Sequence, residues 1–198
     1  MRLLALLVAT FPAGAEPRAI SYWIAPCAPV ETACAAGDVE LARWALEAWE
    51  KASGGALRLE ETREQDKSLI RIHWVAGDQG RYGEAVPIQV GGRRGALVFV
   101  RPDLRQLGAG FANAGEKDPL FRETIVYLTC LHETGHALGL PHTAAFDDIM
   151  YSFAHGGDIR EYFQRYRRKL GRREDIRRHP GISASDRLRL AEHLRREP

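Results

Sequence analysis

The sequence predicts a single domain of the α/β class, α+β in type, on three observations. Its 198 residues, 45% hydrophobic and 27% charged, suffice for one buried core and have ordinary globular composition. Several segments alternate apolar and polar residues as strands do, and others repeat apolar residues every three or four positions as helices do. The longest helical segment, 121–140, also carries histidines at helical spacing. A net charge of +2 is too small to imply a nucleic-acid partner.

The opening MRLLALLVATFPAGAEP combines Arg2, an apolar run from Leu3 to Phe11 and the small residues Ala13-Gly14-Ala15. These are the parts of a secretory signal peptide over residues 1–15; a buried strand is the alternative. The mature chain then starts near Glu16 and is exported, either secreted or periplasmic. The apolar run is too short to cross a bilayer as a helix, and no later segment is apolar enough. No prosegment carrying a latency cysteine fits between Glu16 and the first strand. Cys27 and Cys34 flank a short loop and could close it as a disulfide, leaving Cys130 as a small core residue. One sequence leaves that pairing open.

Residues 19–25, AISYWIA, read as a strand. DVELARWALEAWEKASGG, 38–55, reads as an amphipathic helix. Asp38 is placed to cap it, Leu41, Trp44, Ala45, Ala48 and Trp49 share one face, and Gly54-Gly55 end it. LIRIHWV, 69–75, alternates as a strand, with His73 a half-buried structural residue. RYGEAVP, 81–87, is a weaker strand that Pro87 places at an edge. GGRRGALVFV, 91–100, is a glycine turn leading into another strand. Residues 103–120 read as a loop, and 121–140 as a long helix that Gly139 stops.

From Arg160 onward, 13 Lys/Arg face 6 Asp/Glu. IREYFQRYRRKL and SDRLRLAEHLRR there have helical spacing. A solvated helix face accounts for such charge, and an anionic polymer or envelope surface is the alternative partner.

The segment HETGHALGLPHTAAFDDIMYSF, 132–153, carries the chemistry. His132 and His136 leave one helix face a turn apart, so both rings can converge on one zinc ion. Gly139 can take a positive φ and bring His142 around as the third ligand. Three protein ligands leave a fourth position for water, as in catalytic zinc sites. Glu133 lies roughly 100° around the helix from His132 and can act as the base on that water. Cys130 points away, roughly 200° from His132. By composition, H-E-x-x-H-x-x-G-x-x-H arises by chance in about one shuffled chain in ten thousand.

HETGHALGLPH resembles the zinc signature of the metzincin metallopeptidases, and Met150 looks like their Met-turn. Within that clan the chain is most similar to a matrixin catalytic domain. Thr143 follows the third histidine where matrixins usually carry Ser, and Ile149-Met150-Tyr151 is similar to their Leu-Met-Tyr. ISASDRLRLAEHL, 182–194, is similar to their last helix, with Asp186 at a characteristic acidic position. The resemblance covers 19–150 and 182–195.

It implies a metzincin (zincin-like) fold: a twisted five-stranded mixed sheet, a long metal-binding helix and a C-terminal helical part. Residues 16–198 would form one matrixin-like domain, with a basic insertion at about 152–181 before the last helix. One catalytic Zn2+ would be held by His132, His136 and His142, with Glu133 as general base and Met150 as a hydrophobic floor. Ser152 stands where matrixins usually have Pro. An extended peptide would add to the edge strand, touching Tyr82, Gly83, Glu84, Ala85, Val86 and Tyr151. The loop after Met150 would wall the pocket for the residue following the scissile bond.

The function so implied is a secreted zinc endopeptidase with protein or peptide substrates. Two alternatives accompany it. One is a zinc-stabilised binding module using its basic C-terminal segment, and the other a zinc amidohydrolase acting on a non-peptide amide.

Overall fold

The computed structural model describes residues 16–77 and 81–196. The segment read as a signal peptide lies outside the described residues. Five strands form one twisted sheet: β1 Arg18–Ile24, β2 Leu57–Glu61, β3 Ile70–Trp74, β4 Gly83–Val90 and β5 Arg93–Val100. Their order is β2-β1-β3-β5-β4. β4 is antiparallel to β5 and the other pairs are parallel. The expected five-stranded mixed sheet is present, with β4 at the edge.

Alternation explains the faces. Ile20, Tyr22 and Ile24 of β1 and Ile70, Ile72 and Trp74 of β3 point into the core, as strand side chains two apart must. His73 lies on the opposite face between Trp23 and Phe99, with ring centroids 5.3 and 5.6 Å away. It is half-buried, and burial holds its pKa below 6.5. It is structural, as expected.

The helices are α1 Pro29–Thr32, α2 Asp38–Ala52, α3 Ala109–Lys117, α4 Pro119–Ala137, α5 Ile159–Arg167, α6 Asp175–Arg178 and α7 Ala184–Arg196. α4 packs on β4 and β5 and against α2. Leu41, Trp44, Ala45, Ala48 and Trp49 of α2 are all buried. The Trp49 indole N–H donates to Leu131 O at 2.8 Å, which satisfies the one polar atom of a fully buried ring. Burying such a side chain contributes on the order of 2–3 kcal/mol.

The structure corrects four local readings. Asp38 is the first residue of α2, after an N-cap at Gly37 that makes no side-chain cap bond. Its carboxylate instead accepts the Ala35 N–H at 2.8 Å and both Arg122 Nη groups at 2.8 and 2.7 Å. A salt bridge from α4 therefore replaced a capping role. β2 was not read as a strand, because only Leu57 of its five residues is buried. The 103–120 segment holds a 3-10 turn at Leu104–Leu107 and all of α3. The metal-bearing helix starts at Pro119, where the Asp118 side chain accepts the Phe121 N–H at 3.2 Å, a proper N-cap followed by Pro.

Cys27 and Cys34 form a disulfide, and Cys130 is free and buried. Many of the arginines after residue 160 are committed within the protein. Arg167 pairs with Asp118, Arg177 with Glu47, and Arg173 with both Glu40 and Glu123. Arg173 and Arg177 also lie over the Trp44 ring, 4.7 and 5.9 Å from its centroid. The positive charge of this segment thus fastens it to α2 and α4. Among the described residues no helix is long and apolar enough to cross a membrane.

Candidate metal centre

Helix α4 presents His132, Glu133 and His136 on its last two turns. Gly139 then adopts φ +92°, a region that L side chains avoid. The Gly139 and Leu140 N–H groups donate back to His136 O at 2.9 Å and Gly135 O at 3.0 Å. That reversal closes the helix and returns the chain so that His142 faces the other two rings.

The three Nε2 atoms converge, His142 lying 3.2 Å from His132 and 3.0 Å from His136. Backbone carbonyls face the Nδ1 atoms: Ile149 O is 2.6 Å from His132 Nδ1 and Leu140 O is 2.8 Å from His136 Nδ1. A carbonyl can only accept, so these bonds place the protons of His132 and His136 on Nδ1 and leave their Nε2 lone pairs directed at His142. Ligands about 2.0–2.1 Å from a tetrahedral zinc would stand about 3.3 Å apart, close to the two distances from His142, and all three ligand atoms lie within 4.8 Å of one another. The residues fit the metal, and these three histidines could hold it.

Burial first, and neighbouring rings second, hold all three histidines below the ordinary 6.5, His132 at about 3. The Ile149 carbonyl opposes this at His132 and the Leu140 carbonyl does so at His136. The neutral imidazole that a metal needs is therefore the favoured form. Glu133, 5% exposed, is pushed up to about 8, mainly by burial and then by Glu84, with Arg101 opposing.

Met150 is fully buried, and its Sδ stands against Gly135 of α4, with Trp49 beside the same position. The segment around it returns to the histidine loop. Thr143 N–H donates to Met150 O at 2.8 Å, and Ser152 N–H to Thr143 O at 3.0 Å. Asp186 of α7 accepts the N–H groups of Ile149 at 2.8 Å and Ser183 at 3.0 Å. The last helix therefore holds the residue whose carbonyl orients His132, an outer support of the kind metal-binding histidines need. Asp148, which accepts the Ser183 and Ser185 hydroxyls at 2.7 and 3.2 Å, and Tyr162, whose hydroxyl donates to Asp148 O at 3.0 Å, complete this support. Sequence reasoning missed both, because nothing local to either residue shows its partner.

A cleft of about 740 Å³ opens over the histidines and Glu133. Tyr82, Gly83, Glu84, Ala85 and Tyr151 line it, whereas Val86 is exposed and lies outside the lining. The Tyr151 ring is buried, and its hydroxyl donates to Gly156 O at 2.8 Å. A Cβ on Gly83 would stand 2.6 Å from Glu133 Oε1, so only glycine lets the edge strand approach the carboxylate this closely.

The family described as Matrixin matches the chain over residues 16–164. The match runs from β1 into α5. No curated protein matches the chain.

Proposed function

The chain belongs to the matrixin family of zinc metallopeptidases, and we propose that it is an endopeptidase acting outside the cytoplasm. The observation that carries the reading is the set of three converging Nε2 atoms beside a buried carboxylate at the edge strand. His132, His136 and His142 would hold the ion, with Met150 beneath them. When bound, zinc supplies Lewis acidity toward a carbonyl oxygen and lowers the pKa of a coordinated water.

Glu133 takes the proton of the attacking water and delivers it to the leaving amine. A carboxyl that burial drives toward neutral pH can both accept and release a proton there. The extended substrate lies along β4, whose outer edge has no strand partner among the described residues, and receives main-chain hydrogen bonds from it. The disulfide and the extracellular habit of the family support an exported protein.

The test is to incubate zinc-loaded protein with a complex peptide mixture beside a Glu133→Ala control and sequence the new termini. Cuts made only by the unmodified protein are expected. Equal cutting by the variant would refute the role of Glu133, and no cutting by a zinc-bound protein would refute the peptidase reading.

A further inference from the structure

We infer that the protein carries a second binding site, a cationic cavity beyond the cleft, which takes an acidic stretch of a protein substrate. This inference rests on the peptidase reading above and adds to it a preference for substrates with Asp and Glu several residues away from the scissile bond.

The cavity has a volume of about 550 Å³ and shares no lining residue with the cleft over the histidines. Arg165, Lys169, Arg178 and Arg187 line it, and Asp147 is its one acidic lining residue. Asp147 is paired with Arg165, and Arg178 has Asp175 at 3.4 Å. Lys169 and Arg187 are exposed, and neither side chain has an acidic partner among the described residues. Arg167, Arg173 and Arg177, which fasten the late segment to α2 and α4, line none of this cavity. Unneutralised charge is thus gathered around one concavity from α5, α6, α7 and the residues just after α5. Four cations against one carboxylate attract acidic groups. The floor is apolar, with Leu128, Ile149 and Ile182 all buried. A polypeptide segment that mixes acidic and apolar residues uses both rim and floor, whereas a uniformly charged polymer uses the rim alone.

Helix α5 joins the cavity to the cleft. Ile159, in its first turn, lines the cleft, and Tyr162 and Arg165, three and six residues on, line the cavity. The separation is short. Phe153 of the cleft lies with its ring centroid 5.3 Å from that of Tyr162, and the Arg165 guanidinium stands 4.5 Å from the same Tyr162 ring. The guanidinium is therefore within about 10 Å of the cleft wall, a gap that roughly three or four residues of extended chain cross. A peptide held in the cleft reaches the cavity with its continuing chain.

The experiment uses zinc-loaded protein and peptides that share one cleavable core. The core is extended at its N-terminal or its C-terminal end by a short neutral spacer and then by Glu-Asp-Leu-Glu or its neutral counterpart Gln-Asn-Leu-Gln. At one of the two ends the acidic extension should raise kcat/KM roughly tenfold at low salt, the scale of a few exposed charge pairs. The gain should lie in KM and fade at about 0.5 M NaCl, where such pairs are screened. Lys169→Glu combined with Arg187→Glu should abolish the acidic-over-neutral ratio, which is taken within each protein so that a general loss of activity cancels. Binding of the same peptides to Glu133→Ala protein should show the preference without turnover. Equal cleavage of acidic and neutral peptides at both ends would overturn the inference and leave the peptidase standing. So would a preference that the double variant leaves intact, or binding of a sulfated oligosaccharide at these residues with no preference among the peptides. No cleavage of any peptide by zinc-bound protein would overturn both readings.

Discussion

Replacing Glu133 by Gln should stabilise the metal-free protein, and the gain should grow with pH. Unfolded, the carboxyl ionises near its ordinary 4.5; folded, burial holds the proton to about 8. Between those values the folded chain binds more protons than the unfolded one, so stability falls as pH rises through that window. Below 4.5 both states are protonated and the penalty disappears.

Each tenfold change in proton affinity is worth about 1.36 kcal/mol, which caps the effect at about 5 kcal/mol. Relaxation around a charged carboxylate at the floor of an open cleft reduces this to about 2–3 kcal/mol. Gln keeps the shape and cannot ionise. Urea denaturation of chelator-treated proteins should show near-equal stabilities at pH 4.5 and a gap of that size at pH 9. Saturating zinc should narrow the gap, since the ion's charge favours the carboxylate. A gap independent of pH would refute the assignment of a buried, proton-holding Glu133.

Three further outcomes follow from the packing. Gly135→Ala drives a methyl group into Met150 Sδ, with Trp49 behind it; a loss of about 1–3 kcal/mol is expected by denaturant titration. Asp38→Ala leaves the Arg122 guanidinium with the Ala33 carbonyl but without its carboxylate, and the Ala35 N–H without its acceptor, at a cost of about 3 kcal/mol read as a lower thermal midpoint. Cys130 is fully buried and its thiol is held well above the usual range by burial, so alkylating reagents at neutral pH should label it only after unfolding.

The site was legible because it is local. Residues 132–142 set the helix face, the stop and the third ligand within eleven positions, and backbone geometry at Gly139 does the rest. The edge position of β4 was legible from Pro87, which cannot donate to a further strand. What escaped was held by distant partners. LRLEE becomes β2 because β1 offers it a parallel ladder, against a composition rich in charge. AGFANAGEK contains two glycines, yet it is helical, with Phe111 packed between Phe121 and Phe163. The role of the late arginines also depends on remote residues. Arg173 and Arg177 meet Glu40 and Glu47 across more than 100 positions, which no local spacing reveals.

The central claim is an open zinc site built from three histidines. Zinc-edge X-ray absorption on protein loaded with one equivalent of the metal tests it most directly. The expected spectrum has three imidazole nitrogens and one water oxygen at about 2.0–2.1 Å. A fourth protein ligand, a sulfur scatterer, or a spectrum unchanged by His142→Ala would contradict it.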